Sequence, residues 1–327
     1  MIRNLFHSSQ PQTLSSSVTN RASLLIRHHL KPALGESIGP KSSQLRPSTA
    51  YTTRTYLKMA TQQEPASKKQ RTQPTYELLY HPQIPGRGEF IRLAFEAKGV
   101  SYTDIANEDS ENGYSKVQDI CISDNLGKEG NPPVFSPPAL RISGAGEDGN
   151  ALIISQTPNC LIYLGDKLGL VGNGGEQEKF WVQQLALTAL DLNNEVHDTH
   201  HPVGVSLYYE DQKEESLRKA KDVRENRLPK FFSYFTRTLK WNAEKAKHRY
   251  LVGENLTYAD TTVWQVLDGL YFAFPKEMEA RQKEFPELLD TFYNSVKEEL
   301  KTYLESNRRL SYSQGVFRYY PELDRQS

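Results

Sequence analysis

The chain has 327 residues and equal numbers of Lys+Arg and Asp+Glu, 40 of each, enough for one large or two ordinary domains with a real hydrophobic core. The zero net charge hides an asymmetry: residues 1–60 hold eight of the basic residues and one acid, Glu36, leaving the rest near −7, which argues against nucleic acid as a partner of the body. Two cysteines, Cys121 and Cys160, do not make a disulfide framework and fit a reducing compartment, and no apolar run approaches the ~20 residues of a spanning helix, so no membrane partner is expected.

In chain order, residues 1–60 read as a disordered targeting leader. Arg3, Arg21, Arg27, Arg46 and Arg54, ten serines and short apolar clusters such as Leu24-Leu25-Ile26 have the composition of a mitochondrial presequence, which points to the matrix. The alternative is a basic tail without an address. Met59 precedes a shift to Gln, Glu, Pro and Lys and would start a shorter, cytosolic form. Residues 61–74 read as a linker whose Lys68-Lys69-Gln70-Arg71 cluster is solvated.

The first domain spans 75–169. Tyr76 to Tyr80 reads as a strand bounded by Pro82, Pro85 and Gly86. Phe90, Ile91, Ala94, Phe95 and Ala97 predict a helix over 88–98 that stops at Gly99. A second strand is expected at Val100–Thr103, then irregular structure with one short helix over 104–135. Ala139–Ile142 and Ala151–Ile154 read as strands of a hairpin, and a helix follows from Thr157 to Lys167. Strand, helix, strand, hairpin and final helix is the order of a thioredoxin-like domain. Leu170 to Gly175 reads as a linker, and an all-helical domain follows over 176–327, with helices expected at 176–198, 211–246, 257–273 and 286–306. The stretch Val316–Leu323 reads as a non-helical tail laid on the body. The fold class is therefore α/β thioredoxin-like followed by all-α.

The run Tyr80-His81-Pro82-Gln83-Ile84-Pro85-Gly86-Arg87-Gly88-Glu89-Phe90-Ile91-Arg92 resembles the glutathione transferases of the tyrosine-dependent kind, whose first strand ends in Tyr before a short loop and Gly-Arg-x-x-x-aliphatic-Arg. The resemblance covers about 75–304 and rests on the order and spacing of several motifs. It implies that Tyr80 is the catalytic hydrogen-bond donor to the glutathione sulfur and Arg87 the supporting charge. A free thiol has a pKa of about 8.5; lowering it by about two units needs roughly 2.7 kcal/mol of preferential stabilisation. One charge-assisted hydrogen bond plus a nearby arginine supplies about that. The alternative for Tyr80 is a core tyrosine at a strand end.

The resemblance also makes Pro138 a cis-proline facing the cysteinyl unit, with Pro137 before it. Pro137 has no N–H to offer that unit. Gln156 and Thr157 would hold the γ-glutamyl carboxylate at a helix start, with Thr157 as N-cap and Pro158 at the first helical position. Asp191 falls where relatives place an acid reaching glutathione across a homodimer interface, and Thr257-Tyr258-Ala259-Asp260 resembles a buried helix cap with a structural role.

His197, His200 and His201 have no nearby Cys and do not read as a metal site; Cys160 reads as buried and inert. The expected reaction is addition of glutathione, as co-substrate, to a small hydrophobic electrophile in a detoxification role, with no metal; His197, Tyr208 or Tyr209 would wall the electrophile pocket. Glutathione-dependent isomerisation or peroxide reduction would use the same site. The competing reading is a non-catalytic binding or assembly subunit, favoured by Pro137, by a loop after Tyr80 one residue longer than in relatives, and by Glu298 where relatives often carry Pro.

Overall fold

Four short strands make one sheet: β1 (Tyr76–Leu79), β2 (Thr103–Asp104), β3 (Ala139–Ile142) and β4 (Leu152–Ser155), in the order β2–β1–β3–β4. This computed structural model describes residues 74–246 and 248–326; the leader over 1–60, Met59 and the basic cluster 68–71 lie outside the described residues. The chain divides into two units, 1–68 and 69–327, and the sheet and all helices named below belong to the second.

β1 and β2 are parallel, so the chain must cross over between them, and α1 (Glu89–Glu96) lies in that crossover. β3 is antiparallel to both β1 and β4. The second strand begins later than the Val100–Thr103 expected. Gly99, at φ +60°, turns the chain after α1, and the Val100 N–H still bonds back to the Phe95 carbonyl at 3.1 Å, so no ladder forms before Thr103. Instead of one short helix over 104–135 there are two, α2 (Ile105–Glu108) and α3 (Gly113–Cys121).

Strand alternation explains both helices. Tyr76, Leu78 and Tyr80, with Leu140 and Ile142, face α1 and α4 (Thr157–Leu168) and join the larger core. Leu79, Ala139 and Ile153 point the other way and are covered by Ile105, Ala106, Val117, Ile120 and Cys121, as a period of two requires. Tyr80 thus sits by parity on the face that looks toward α1 and α4.

The second part is helical: α5 (Glu176–His197), α6 (Lys213–Asp222), α7 (Leu228–Ala246), α8 (Tyr258–Ala273), α9 (Pro275–Gln282), α10 (Tyr293–Glu299) and α11 (Lys301–Leu304). α8 is its axis, with Trp264, Val263, Val266, Leu267 and Leu270 buried. The continuous helix expected over 211–246 is interrupted by a π turn, Val223–Arg227, in which Leu228 N–H reaches the Val223 carbonyl. Pro229 has no N–H for the regular ladder, so the register shifts beside it. The helix expected over 286–306 likewise opens with a π turn, Glu287–Phe292, and breaks at Leu300.

α9 was not expected. The Asp324 carboxylate accepts the Lys276 and Glu277 N–H groups at 3.0 and 3.1 Å, so its N-terminal cap comes from a residue 47 positions away. The tail carrying Asp324 is non-helical, with Val316, Phe317 and Leu323 buried.

Candidate functional site

Strand register gathers three of the expected residues. Leu79 pairs with Ala139, and Ala139 with Ser155. One step beyond these last pairs stand Tyr80, Pro138 and Gln156, side by side at one end of the sheet. The Pro137-Pro138 bond is cis, and both prolines are buried. The Pro137 carbonyl accepts the Ser136 hydroxyl at 3.1 Å.

Tyr80 retains 6% of its surface. Its ring lies under a 3₁₀ turn, Gly86–Gly88. A Cβ on Gly86, where φ is +43°, would fall 2.2 Å from the phenol oxygen, and one on Gly88 would fall 2.7 Å from the ring, so only glycine lets the turn lie this close. The phenol oxygen accepts the Arg87 backbone N–H at 2.8 Å. Burial pushes the phenol pKa up, while that N–H and the charges of Arg92 and Arg87 pull against it. Tyr80 therefore stays protonated at neutral pH, with its own proton free to be donated.

Arg87 was expected as a charge beside the sulfur. Its backbone does the local work: the N–H goes to Tyr80, and the carbonyl accepts the Thr157 hydroxyl at 3.4 Å. The guanidinium turns outward and donates to Asn194 Oδ1 on α5 at 2.6 Å. One residue thus joins the end of β1, the start of α4 and the helical domain. Arg92, quoted in the motif but given no role, is 1% exposed and sits 5.8 Å from the Tyr80 ring centroid. It donates to the Pro85 carbonyl at 3.0 Å and pairs with Glu89 and Asp104. It fixes the loop that lies on Tyr80.

At the start of α4 the cap lies one residue earlier than expected. Gln156 is the N-cap, at φ +70°, Thr157 is the first helical residue and Pro158 the second, with no side-chain cap bond. The Thr157 and Asn159 amides lie in the first turn, where N–H groups lack carbonyl partners within the helix. Thr157 is buried at 2% exposure, and the Gln156 side chain is exposed.

Asp191 does not join this corner. It lies exposed one turn before Asn194 and lines a groove of about 580 Å³ with Asn194, Arg227, Lys230 and Phe231. Asn194 borders both places. Among the expected pocket-wall residues, Tyr209 is buried, donates to Glu322 and stacks on Tyr320 at 3.9 Å, whereas Tyr208 is 75% exposed. Cys160 is buried in α4, and burial pushes its thiol up to about 12. Thr257 and Asp260 form a capping box at the start of α8.

The fold and this corner define a class: a thioredoxin-like domain whose sheet edge presents tyrosine, cis-proline and a helix start, followed by an all-helical domain. The family model for the C-terminal domain of glutathione S-transferase matches residues 197–307. A Plasmodium falciparum glutathione S-transferase is 28% identical over 211 residues, 64% of this chain and 85% of the relative. The sigma-class glutathione S-transferase structure from Fasciola hepatica has the same fold, at TM-score 0.52 and 19% identity, covering 71% of this chain and 96% of that one. The monomeric glutathione S-transferase Na-GST-3 of Necator americanus has it too, at TM-score 0.50 and 22% identity, covering 73% and 100%. Residues 197–307 thus match the C-terminal domain of glutathione S-transferases, and the chain is similar to glutathione S-transferases over 211 residues.

Proposed function

We propose that this glutathione S-transferase ionises the thiol of glutathione against Tyr80 and adds the thiolate to a small apolar electrophile, a detoxification chemistry. The observation that carries the reading is the row Tyr80, Pro138 and Gln156 at one sheet end, with the Arg87 backbone tied to both Tyr80 and Thr157. The Tyr80 proton would meet the sulfur, the Pro137-Pro138 edge would meet the cysteinyl backbone, and the amides and hydroxyl at the start of α4 would meet the γ-glutamyl carboxylate. Holding thiolate and electrophile together supplies several kcal/mol more.

With a chromogenic aryl halide, Tyr80→Phe is expected to lower kcat about a hundredfold at neutral pH, the loss of about two pKa units of thiol activation. Equal rates for mutant and wild type would remove Tyr80 from the chemistry. A second reading, a subunit that keeps the fold without turnover, is favoured by Pro137, which has no N–H and whose carbonyl already accepts Ser136. Calorimetric titration with glutathione separates the two: binding is expected, and its absence would favour the bystander.

Two further features support wider readings. Phe135 is 91% exposed beside the cis-proline edge. Trp181, Tyr234 and Trp241 line a groove of about 310 Å³ on α5 and α7. Burying both would suit a homodimer, in which Asp191 would reach the partner's glutathione. Sedimentation of wild type as a dimer and of Phe135→Glu as a monomer is expected; a monomeric wild type refutes this. The Arg- and Ser-rich leader supports delivery to the mitochondrial matrix, which import with isolated mitochondria and mass spectrometry of the mature N-terminus test.

A further inference from the structure

The linker over 170–175, between the two domains, carries chemistry of its own. Asn173-Gly174 is one of two Asn-Gly pairs in the chain, the other being Asn112-Gly113. Such a pair can close on itself: the glycine backbone nitrogen attacks the asparagine side-chain amide carbon, and no glycine side chain stands in the way. The reaction needs a loosely held, accessible backbone and a base for the glycine N–H. The two pairs differ in both respects.

Asn112-Gly113 is locked. Asn112 has helical backbone angles, its N–H bonds Asp109 Oδ1 at 2.9 Å, and its carbonyl accepts the Lys116 N–H at 3.0 Å. Gly113 is buried against α2, where a Cβ would fall 2.0 Å from the Ile105 carbonyl oxygen. Its N–H is committed to the Asp109 carbonyl at 3.0 Å. By contrast, Asn173 and Gly174 are both exposed and lie outside any helix or strand. The glycines on either side, Gly172 and Gly175, hold φ at +79° and +82°, and the Lys179 N–H reaches the Gly175 carbonyl only at 3.4 Å.

The base is also in place. The Gly174 N–H bonds no carbonyl but Glu178 Oε2, at 2.7 Å. Three glycines cradle that carboxylate: a Cβ on Gly172 or Gly174 would fall 2.3 Å from its atoms, and one on Gly253 would fall 3.0 Å away. Among the described residues no cation pairs with Glu178, and the neighbouring Lys179 turns to Asp166 instead. The carboxylate is thus aimed at the one proton that the ring closure must remove.

We propose that Asn173 is a self-modification site, converted to aspartate or isoaspartate with Glu178 as general base. Glu178 takes the Gly174 N–H proton while that nitrogen bonds to Asn173 Cγ. The side-chain nitrogen leaves with the proton as ammonia, and a five-membered succinimide remains. Water then opens the ring at either carbonyl, giving aspartate or, with the main chain rerouted through Cγ, isoaspartate. One water is consumed, one ammonia is released, and nothing is oxidised or reduced. A neutral amide becomes a carboxylate beside Glu176 and Glu178, where α5 begins, and the isoaspartate adds a carbon to the path between the domains. None of this depends on the thiol chemistry.

The test warms the full chain at mildly alkaline pH beside a synthetic peptide of residues 168–179, then maps both by mass spectrometry and isoaspartyl methyltransferase labelling. The mass gain of an amide-to-acid exchange is expected at Asn173, with Asn112 intact. Glu178→Gln should slow the exchange by about tenfold, and Glu178→Asp, whose shorter arm falls short of the Gly174 N–H, should slow it too. Asn173→Ser should remove the acidic species from isoelectric focusing. An Asn173 that stays intact while the peptide converts, an Asn112 that converts as fast, or an unchanged rate in both Glu178 variants overturns the proposal.

Discussion

At Tyr80 three demands meet: the phenol must stay protonated, stay close to solvent-borne substrate, and be held still. Burial and strand parity meet the first and third, and two glycines let the loop lie on the ring. Gly86→Ala is expected to cost about 1–3 kcal/mol, from the left-handed backbone and from the contact with the phenol. It should also reduce activity more than a similarly destabilising change elsewhere, which denaturant titration and conjugation rates on the same sample would show. His200 offers a separate handle. Burial pulls its pKa down to about 3, while in the unfolded chain it is near 6.5. The folded state therefore resists protonation, so stability is full above pH 6.5 and is lost as pH falls from there toward 3. The share of His200 is on the order of 3 kcal/mol between pH 7 and pH 4.5. His200→Leu is expected to flatten that part of the urea-midpoint profile; an unchanged slope would show that the imidazole titrates freely in the fold.

Among the elements, α8 depends on its first turn. Asp260 is fully buried and accepts the Thr257 N–H and hydroxyl and the Leu251 N–H, all within 2.8 Å. Burial pushes its pKa up to about 6, against the pull of those donors. Asp260→Ala strands three donors in the core and is expected to destabilise by about 2–4 kcal/mol, read as a fall in the thermal midpoint. This cap was legible because Thr-x-x-Asp before an apolar helical face is local. The cap of α9 was not, since Asp324 arrives from the far end of the chain. The start of α4 falls between these cases. Thr157-Pro158 marked the helix start, but Gln156 takes the cap because its backbone adopts positive φ at the sheet edge, which no propensity encodes.

Across the whole molecule, Glu89 is the hub between the two domains. It is fully buried, pairs with Arg92 at 3.0 Å, and accepts the Tyr303 hydroxyl at 2.6 Å and an Arg309 nitrogen at 2.5 Å. Arg309 continues to Asp268 and Tyr312. Breaking a buried ionic hub leaves charges unpaired, so Glu89→Leu is expected to cost about 3–5 kcal/mol. Because Arg92 also fixes the Pro85 carbonyl, the loop over Tyr80 should loosen with it, read as a raised KM for glutathione.

By itself the sequence determined the strand, helix, strand, hairpin and helix of the first domain and the capping box, because alternation, helical periodicity and capping act over a few residues; the cis-proline edge and the Gly-Arg turn after Tyr80 were implied by resemblance. Only the tertiary structure decided that the Arg87 side chain leaves the sulfur corner for Asn194, that Arg92 and Glu89 bind the loop to the helical domain, and that His200 at the end of α5 ties to Val316 of the tail. Those contacts join residues up to 220 positions apart. Their partners are chosen by how the sheet and helices pack, a choice that local physics does not make.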